Sequence, residues 1–257
     1  MIGGLVSIIM PSWNTSKWIG ESIKSVISQT YQNWELIIVD DCSTDNTDEI
    51  VAAFKDSRIR YIKNEKNSGA AITRNRALRE AKGEWIAFLD SDDIWMPEKL
   101  EKMINFMVSN NYSFAYHDYV KIDEESKPLN IYVSGPKVVT KRKMYNYDYV
   151  GCLSFIYSAK IHGLIQIKDI KKNNDYAILL QLCKNANCYL LKENLAQYRI
   201  RKKSISHDKL SKKLKSHYDL FRYCDEKPAL IAFWYACWNM WYGIWKKKRY
   251  EKNNGNR

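Results

Sequence analysis

The chain has 257 residues, 46% hydrophobic and 27% charged, which allows a large core and argues against general disorder. Its net charge of +12 sits at one end: residues 198–257 hold 16 Lys/Arg against 5 Asp/Glu, whereas residues 1–197 hold 25 against 24. A near-neutral body with a basic appendage does not fit a protein that coats nucleic acid. In chain order, residues 5–10 form a strand-type run stopped by Pro11, and Ile19, Ile23, Val26 and Ile27 recur at the spacing of one helix face. Residues 34–39 read as a second strand ending at Asp40-Asp41, and Thr44 as the N-cap of a helix reaching about Phe54. A short strand at 59–62, a turn at Asn67-Ser68-Gly69, a helix over 70–81 and a strand over 84–89 follow. This alternation predicts an α/β fold with a mainly parallel, doubly wound sheet. From about Ser113 the pattern is less regular, with short runs at 114–116, 119–122 and 137–139. Asn174-Asp175 then open an amphipathic helix, and strand-like runs occupy 188–191 and 195–200.

The chemistry concentrates where apolar runs end. Residues 86–89 are followed by Asp90-Ser91-Asp92-Asp93, three carboxylates in four positions. Carboxylates this close repel one another unless a cation lies among them, and strand ends are where open α/β sheets place ligands. The plainer alternative is a helix N-terminus, since Pro97 suits a first helical turn and Asp is an ordinary cap. Asp40-Asp41 end the second strand and Asp175 opens a later helix, where it too has a capping alternative. Neither G-x-G-x-x-G nor G-x-x-x-x-G-K-[ST] is present in the first half, so a bound nucleotide would have to be held by carboxylates and a metal. One carboxylate can accept the imide N–H of a uracil ring, a second can hold ribose hydroxyls, and a third can hold a metal on a diphosphate. His117, His162, His207 and His217 have no mutual metal spacing, and the six cysteines lack a C-x-x-C pair, so free thiols are expected.

Taken in order, these blocks resemble family 2 glycosyltransferases with the GT-A fold. Val6 to Asn14 resembles the opening strand and P-x-Y-N turn of that family, and Ser28 to Asp45 its Q-T-Y-x-N-x-E-[LI]-I-V-D-D-G-S-T-D block. Asn67-Ser68-Gly69 through Arg74-Asn75 resembles N-x-G…R-N, Phe88 to Trp95 the D-x-D segment, Asn174-Asp175-Tyr176 the E-D-[YW] element, and residues 198–206 the closing Y-R-x-H-x-x-S-x-S. The resemblance implies that Pro11, Trp13 and Asp41 contact the base and that Asp90, with Ser91, holds the ribose side. It further implies that Asp92 ligates Mn²⁺ or Mg²⁺, and that Asn14, Gly69 and Arg74 shape the nucleotide pocket. Asp175 would be the general base, and Arg199 and Arg201 would lie near the diphosphate or acceptor. Four departures stand out: Trp13 for Tyr, Cys42 for Gly, Asn174 for Glu and Arg201 for His. Cys42 is acceptable if that position needs no positive φ, and a guanidinium can neutralise a diphosphate but cannot ligate a metal.

Residues 229–245 contain one strongly polar member, Asn239, and carry Trp234, Trp238, Trp241 and Trp245 on one helical side, followed by Lys246-Lys247-Lys248-Arg249. Trp at the headgroup level and basic residues on anionic lipid suggest a helix lying on a membrane surface through residues 229–249. The alternative is a stripe packed on the catalytic domain. No stretch has the roughly 18–20 apolar residues of a membrane span. Residues 1–5 also lack the basic region of a signal peptide, so a cytoplasmic chain, peripheral on the inner face of the membrane, is expected. The resulting expectation divides the chain into a nucleotide-sugar half (1–110), an acceptor half (111–206) and a basic helical extension (207–257). Its activity would be inverting transfer from a UDP-sugar to a polyprenyl-diphosphate-linked saccharide in O-antigen or capsule synthesis. A GDP- or dTDP-sugar donor, or a catalytically silent nucleotide- or membrane-binding scaffold, are the alternatives.

Overall fold

The computed structural model describes residues 3–201 and 210–253. β1 (Val6–Ser12) leads to α1 (Ile19–Ile27), β2 (Trp34–Asp40) to α2 (Thr47–Ala52), and β3 (Ile59–Lys63) to α3 (Ala70–Glu80). β4 (Trp85–Phe88), β5 (Ile94–Trp95) and α4 (Lys99–Ser109) complete the first half. The second half runs through β6 (Phe114–Ile122), β7 (Pro128–Val133), β8 (Val138–Val139), α5 (Lys141–Asn146), a tight 3-10 turn (Cys152–Ser154) and β9 (Phe155–Ser158). It continues through α6 (Ala159–His162), α7 (Asn174–Asn185) and β10 (Cys188–Arg199). α8 (Leu210–Asp219) passes through a π-turn (Leu220–Cys224) to α9 (Ala229–Tyr250) and β11 (Glu251–Asn253).

The sheet order is β11-β7-β6-β9-β4-β1-β2-β3. β4, β1, β2 and β3 are parallel, as strand–helix alternation predicts. Beyond β4 the pairings to β9, β6, β7 and β11 are antiparallel, while β10 runs parallel to β6 and antiparallel to β5 and β8. The expected mainly parallel sheet is therefore mixed. The link from β6 to β7 is too short for the crossover that parallel neighbours require, so those strands can only form a hairpin. Every residue of β2 is buried. Ile9, Ile37 and Val39 serve the core on one face, and Val6, Ile8, Met10, Leu36 and Ile38 serve the other. Burial on both faces is why these strands read as unbroken apolar runs.

Several local expectations change. Pro11 lies inside β1, past the last residue paired with β4, where the strand is an edge on that side and tolerates the missing N–H. Thr44 does not cap α2: the Asp45 carboxylate accepts from Thr47 N at 3.2 Å and Thr47 Oγ1 at 2.6 Å, and Thr44 N is turned to Asn14. The runs at 188–191 and 195–200 are one strand, β10, whose register shifts on either side of Asn194 disguise its continuity. The C-terminal segment is built into the domain. Ala232, Ala236 and Asn239 of α9 are fully buried, β11 adds to the edge strand β7, and Glu251 pairs with Lys121 at 2.7 Å. The expected boundary at 206/207, with Lys202 to Ser206 of the closing block and His207, lies outside the described residues.

Candidate active site

The C-terminal ends of β4, β1 and β2 lie side by side, so residues 11–14, 40–45 and 90–92 share one sheet edge. Asn14 clamps two of these loops. Its backbone is left-handed, with φ 50°, a conformation Asn adopts more readily than most residues. Its N–H donates to Ser43 Oγ at 2.8 Å and its Oδ1 accepts from Thr44 N at 2.9 Å. Asp40 is structural, being fully buried and accepting from both the backbone N–H and the hydroxyl of Ser43. Asp41 Oδ1 accepts from Asn64 Nδ2 and Ser68 N, each at 2.8 Å, and Oδ2 from Gly69 N at 2.7 Å. It thus folds the 64–69 loop over the edge, with one acceptor position of Oδ2 left over. Gly69 has φ 88°, a backbone that L side chains rarely adopt. Trp13 is 53% exposed, its ring standing clear of the core beside this edge. Cys42 corrects an expectation. Its φ is 62°, so the position does demand the left-handed region, and the thiol is carried there at the cost of some strain.

Arg74, on α3, joins the two halves of the site. One guanidinium nitrogen, Nη2, donates to Asp90 Oδ1, and the other, Nη1, to Asn174 Oδ1 at the start of α7. The Arg74 side chain is 7% exposed and that of Asp90 31%. Asn174 stands where the family pattern has Glu, and its amide oxygen still supplies the acceptor that Arg74 requires. The next residue is Asp175, half-buried, with Oδ1 accepting from Tyr176 N at 2.9 Å. Burial raises the Asp175 carboxyl above the usual carboxylate value, the Arg74 charge opposes that rise, and the Asp90 charge adds to it.

Asp92 is held by Arg201, whose Nε lies 2.8 Å from Asp92 Oδ2. Arg201 also lies over Trp18, 5.2 Å from the ring centre. Burial pushes Asp92 up to about 6, against Arg201 and reinforced by Asp90. Asp93 is fully structural: it is buried, accepts from Arg199 N at 2.8 Å, and is kept well above the carboxylate range by burial first and then by Asp92 and Asp90. Ser91 is buried within the turn, so it shapes the loop from inside. Arg199, expected near the diphosphate or acceptor, lies against the backbone of Asp92. Its buried guanidinium donates to Asp92 O at 2.7 Å, Asp123 O at 3.1 Å, Ser126 Oγ at 2.8 Å and Glu21 Oε2 at 2.6 Å. Its nitrogens are thus engaged by the chain itself, and it staples α1, the turn after β6 and the carboxylate loop together. Arg201, two residues on, is the arginine that faces the carboxylates.

Among the described residues no three His, Cys, Asp or Glu side chains gather as a closed metal cage. Asp90 and Asp92 fit a different kind of site. They are hard oxygen donors whose charges act on one another, and each is balanced by one arginine. That set suits Mg²⁺ or Mn²⁺ when the rest of its oxygen shell comes from a diphosphate and water. Sequence reasoning missed Asn64, which holds Asp41, and the two-ended role of Arg74, since neither follows from a motif.

A mixed sheet whose parallel edge carries such carboxylates, facing a helix that presents one more, is the architecture of a GT-A transferase. Two solved structures share the fold. Staphylococcus aureus TarS in complex with UDP-GlcNAc superposes with a TM-score of 0.70 at 22% identity, over 88% of this chain and 69% of that one. The mannosyltransferase PcManGT from Pyrobaculum calidifontis, in complex with GDP-Man and Mn²⁺, superposes with a TM-score of 0.62 at 16% identity, over 90% and 69%. The chain belongs to glycosyl transferase family 2, whose model matches residues 7–158. It is 40% identical over 253 residues, 98% of each chain, to the Escherichia coli UDP-Glc:α-D-GlcNAc-diphosphoundecaprenol β-1,3-glucosyltransferase WfgD. It is a glycosyltransferase of bacterial polysaccharide biosynthesis.

Proposed function

We propose that the chain transfers a hexose from a UDP-sugar to a hydroxyl of a polyprenyl-diphosphate-linked saccharide, with inversion at the anomeric carbon. The observation that carries this reading is the Arg74 bridge. One guanidinium ties Asp90 at the donor edge to Asn174, and so sets Asp175 at a fixed distance from the donor loop. The relatives WfgD and WfaP, which carry the same descriptive name, support the donor and acceptor classes.

The residues divide the work as follows. Trp13 offers a ring face to the base, beside Pro11, and the remaining acceptor position of Asp41 meets a base N–H. Asn14 and Gly69 hold the loops around it, and Asp90 takes the ribose. Asp92, with Asp90, would hold Mg²⁺ or Mn²⁺, which when bound neutralises the departing diphosphate. Arg201 moves from Asp92 to the diphosphate when the donor binds. Asp175 removes the proton of the attacking hydroxyl, and a single base suits one displacement with inversion.

The outward face of α9 supports a membrane-surface role. Leu230, Phe233, Trp234, Trp241 and Ile244 are more than half exposed, and Lys248 and Arg249 follow on an exposed turn. Among the described residues no helix is long and apolar enough to cross a membrane. Such a face lies in the headgroup region of an anionic leaflet and brings the site to a lipid-linked acceptor. The cytoplasmic leaflet is the surface that the notion of a UDP-sugar donor calls for.

The test is Asp175→Asn. Transfer from UDP-glucose to a GlcNAc-diphosphate-lipid should fall by about 10²–10⁴-fold, the usual worth of a general base. UDP binding should stay at the wild-type level. Full transfer by this variant would remove Asp175 from the role of base.

A further inference from the structure

α5, α7 and α9 meet beside Asp175. The Tyr176 hydroxyl donates to Met144 O and accepts from Asn239 Nδ2 at 2.8 Å, and the same amide donates to Asn146 O at 3.1 Å. These bonds pin the chain that leaves α5, Tyr147-Asp148-Tyr149, next to the first turn of α7. Asp148 is half-buried there, with Oδ1 accepting from Val150 N at 3.1 Å. Lys246 reaches in from α9, its Nζ 5.1 Å from the centre of the Tyr147 ring. Gly243 allows this approach, since a Cβ there would come within 2.7 Å of Tyr147 Cε2.

The electrostatics agree with that placement. Burial and then the Asp175 charge push Asp148 up to about 7, with Lys246 pulling the other way. The Asp148 charge is also felt by Tyr176 and Cys183 of α7. Asp175 is influenced by Asp90 on the donor side, and it influences Asp148 in turn. A second carboxyl next to the base, supplied by the acceptor half of the chain, has no task in holding the nucleotide. At position 174, where the family pattern has a carboxylate, this chain has an amide committed to Arg74.

We propose that Asp148, with Lys246 behind it, is a positioning residue of the acceptor subsite, hydrogen-bonded to a sugar hydroxyl next to the one that Asp175 deprotonates. This rests on the transferase reading above. A carboxyl group suits the task because it accepts from sugar hydroxyls when ionised and can also donate when protonated. The subsite is partly made by α9, so the helix with the exposed apolar face also contributes a wall of the acceptor site.

The experiment compares wild type with Asp148→Asn and Asp148→Glu, using UDP-glucose, Mn²⁺ and GlcNAc diphosphate on a medium-length alkyl chain. Asp148→Asn should raise the acceptor KM by about 10–100-fold, the worth of one hydrogen bond to a charged group. The KM for UDP-glucose and the melting temperature should stay at wild-type values, and Asp148→Glu should recover part of the loss. Calorimetric titration of the acceptor probe into UDP-loaded protein reads the subsite without turnover. Wild type that binds the probe but forms no product would count against the transferase reading, while the Asp148 comparison by binding would still stand. Asp148→Asn with wild-type acceptor KM and affinity overturns the assignment, and so does an equal loss of donor and acceptor binding.

Discussion

Replacing Arg74 with Met keeps most of the side-chain volume and removes the charge that spans Asp90 and Asn174. Breaking one side of a buried ion pair costs about 3–5 kcal/mol. Here the Arg74 side chain is 7% exposed but that of Asp90 is 31% exposed, so Asp90 recovers part of its solvation. The expected loss is therefore about 2–3 kcal/mol, or about 5–10 °C in Tm for a chain of this length. A second consequence follows for the base. In the native protein Arg74 opposes the rise that burial imposes on Asp175. Without it the Asp175 carboxyl rises further, a base must be ionised to act, and the acid limb of the kcat/KM profile moves to higher pH. Thermal melts and pH–rate profiles of Arg74→Met and Arg74→Lys would measure both effects. Lys keeps the charge but not the fork, so it should hold the acid limb near wild type while still losing stability. An Arg74→Met variant with wild-type Tm and an unmoved acid limb would refute the bridge as the element that links donor edge and base.

Three further outcomes are expected. Lys99 is fully buried, its ammonium nitrogen lacks a hydrogen-bond partner and stands 3.2 Å from the Trp95 ring centre, and burial holds it well below the usual lysine value. The unfolded chain therefore binds the extra proton, and stability rises with pH from the folded-state value up to the unfolded one. Lys99→Met should add about 1–2 kcal/mol near neutral pH and flatten that rise, as urea melts at several pH values would show. Because Asp92 is raised to about 6, it must lose its proton before it can hold a cation, so Mn²⁺-dependent UDP affinity should strengthen as pH passes upward through that value. An affinity flat across this range would remove Asp92 from the cation site. Trp241→Ser with Ile244→Ser strips two side chains that are 60% and 64% exposed, and should weaken sedimentation with anionic vesicles by about tenfold or more while leaving Tm unchanged.

The parallel half of the fold was legible because its strands are buried on both faces and its helices show a single apolar stripe. Residues 5–10, 19–27, 34–39 and 70–81 each became the element expected, to within a few residues. The second half was harder to read, because register shifts in β10 and a two-residue strand such as β8 erase periodicity. Asp90 and Asp92 stood out in the sequence because they end an apolar run, whereas Asp175 opens a helix after a polar stretch and was singled out as the base only through the family resemblance. The division of labour around them was not legible. Arg199 and Arg201 look equivalent in sequence, yet one is a buried staple and the other faces Asp92.

The strand–helix alternation of the first half, the carboxylate edge and the apolar, Trp-rich C-terminal helix are local properties, determined by residue type and spacing along the chain. Long-range packing alone decided which partners those residues take. Arg74 meets Asn174 across 100 positions, Tyr145 and Asn146 meet Asn239 over more than ninety, and β11 closes on β7 from the far end of the chain. The α9 helix shows the difference. Its sequence is apolar on nearly every side, and only the packed structure separates a buried face of Ala232, Ala236, Asn239 and Gly243 from an exposed one of Phe233, Trp234, Trp241 and Ile244. Hydrophobicity alone cannot choose between two apolar faces. Small residues, and an Asn239 Nδ2 that donates to Asn146 O and to the Tyr176 hydroxyl, allow close approach on one of them, and the bulk of the indoles leaves the other outside.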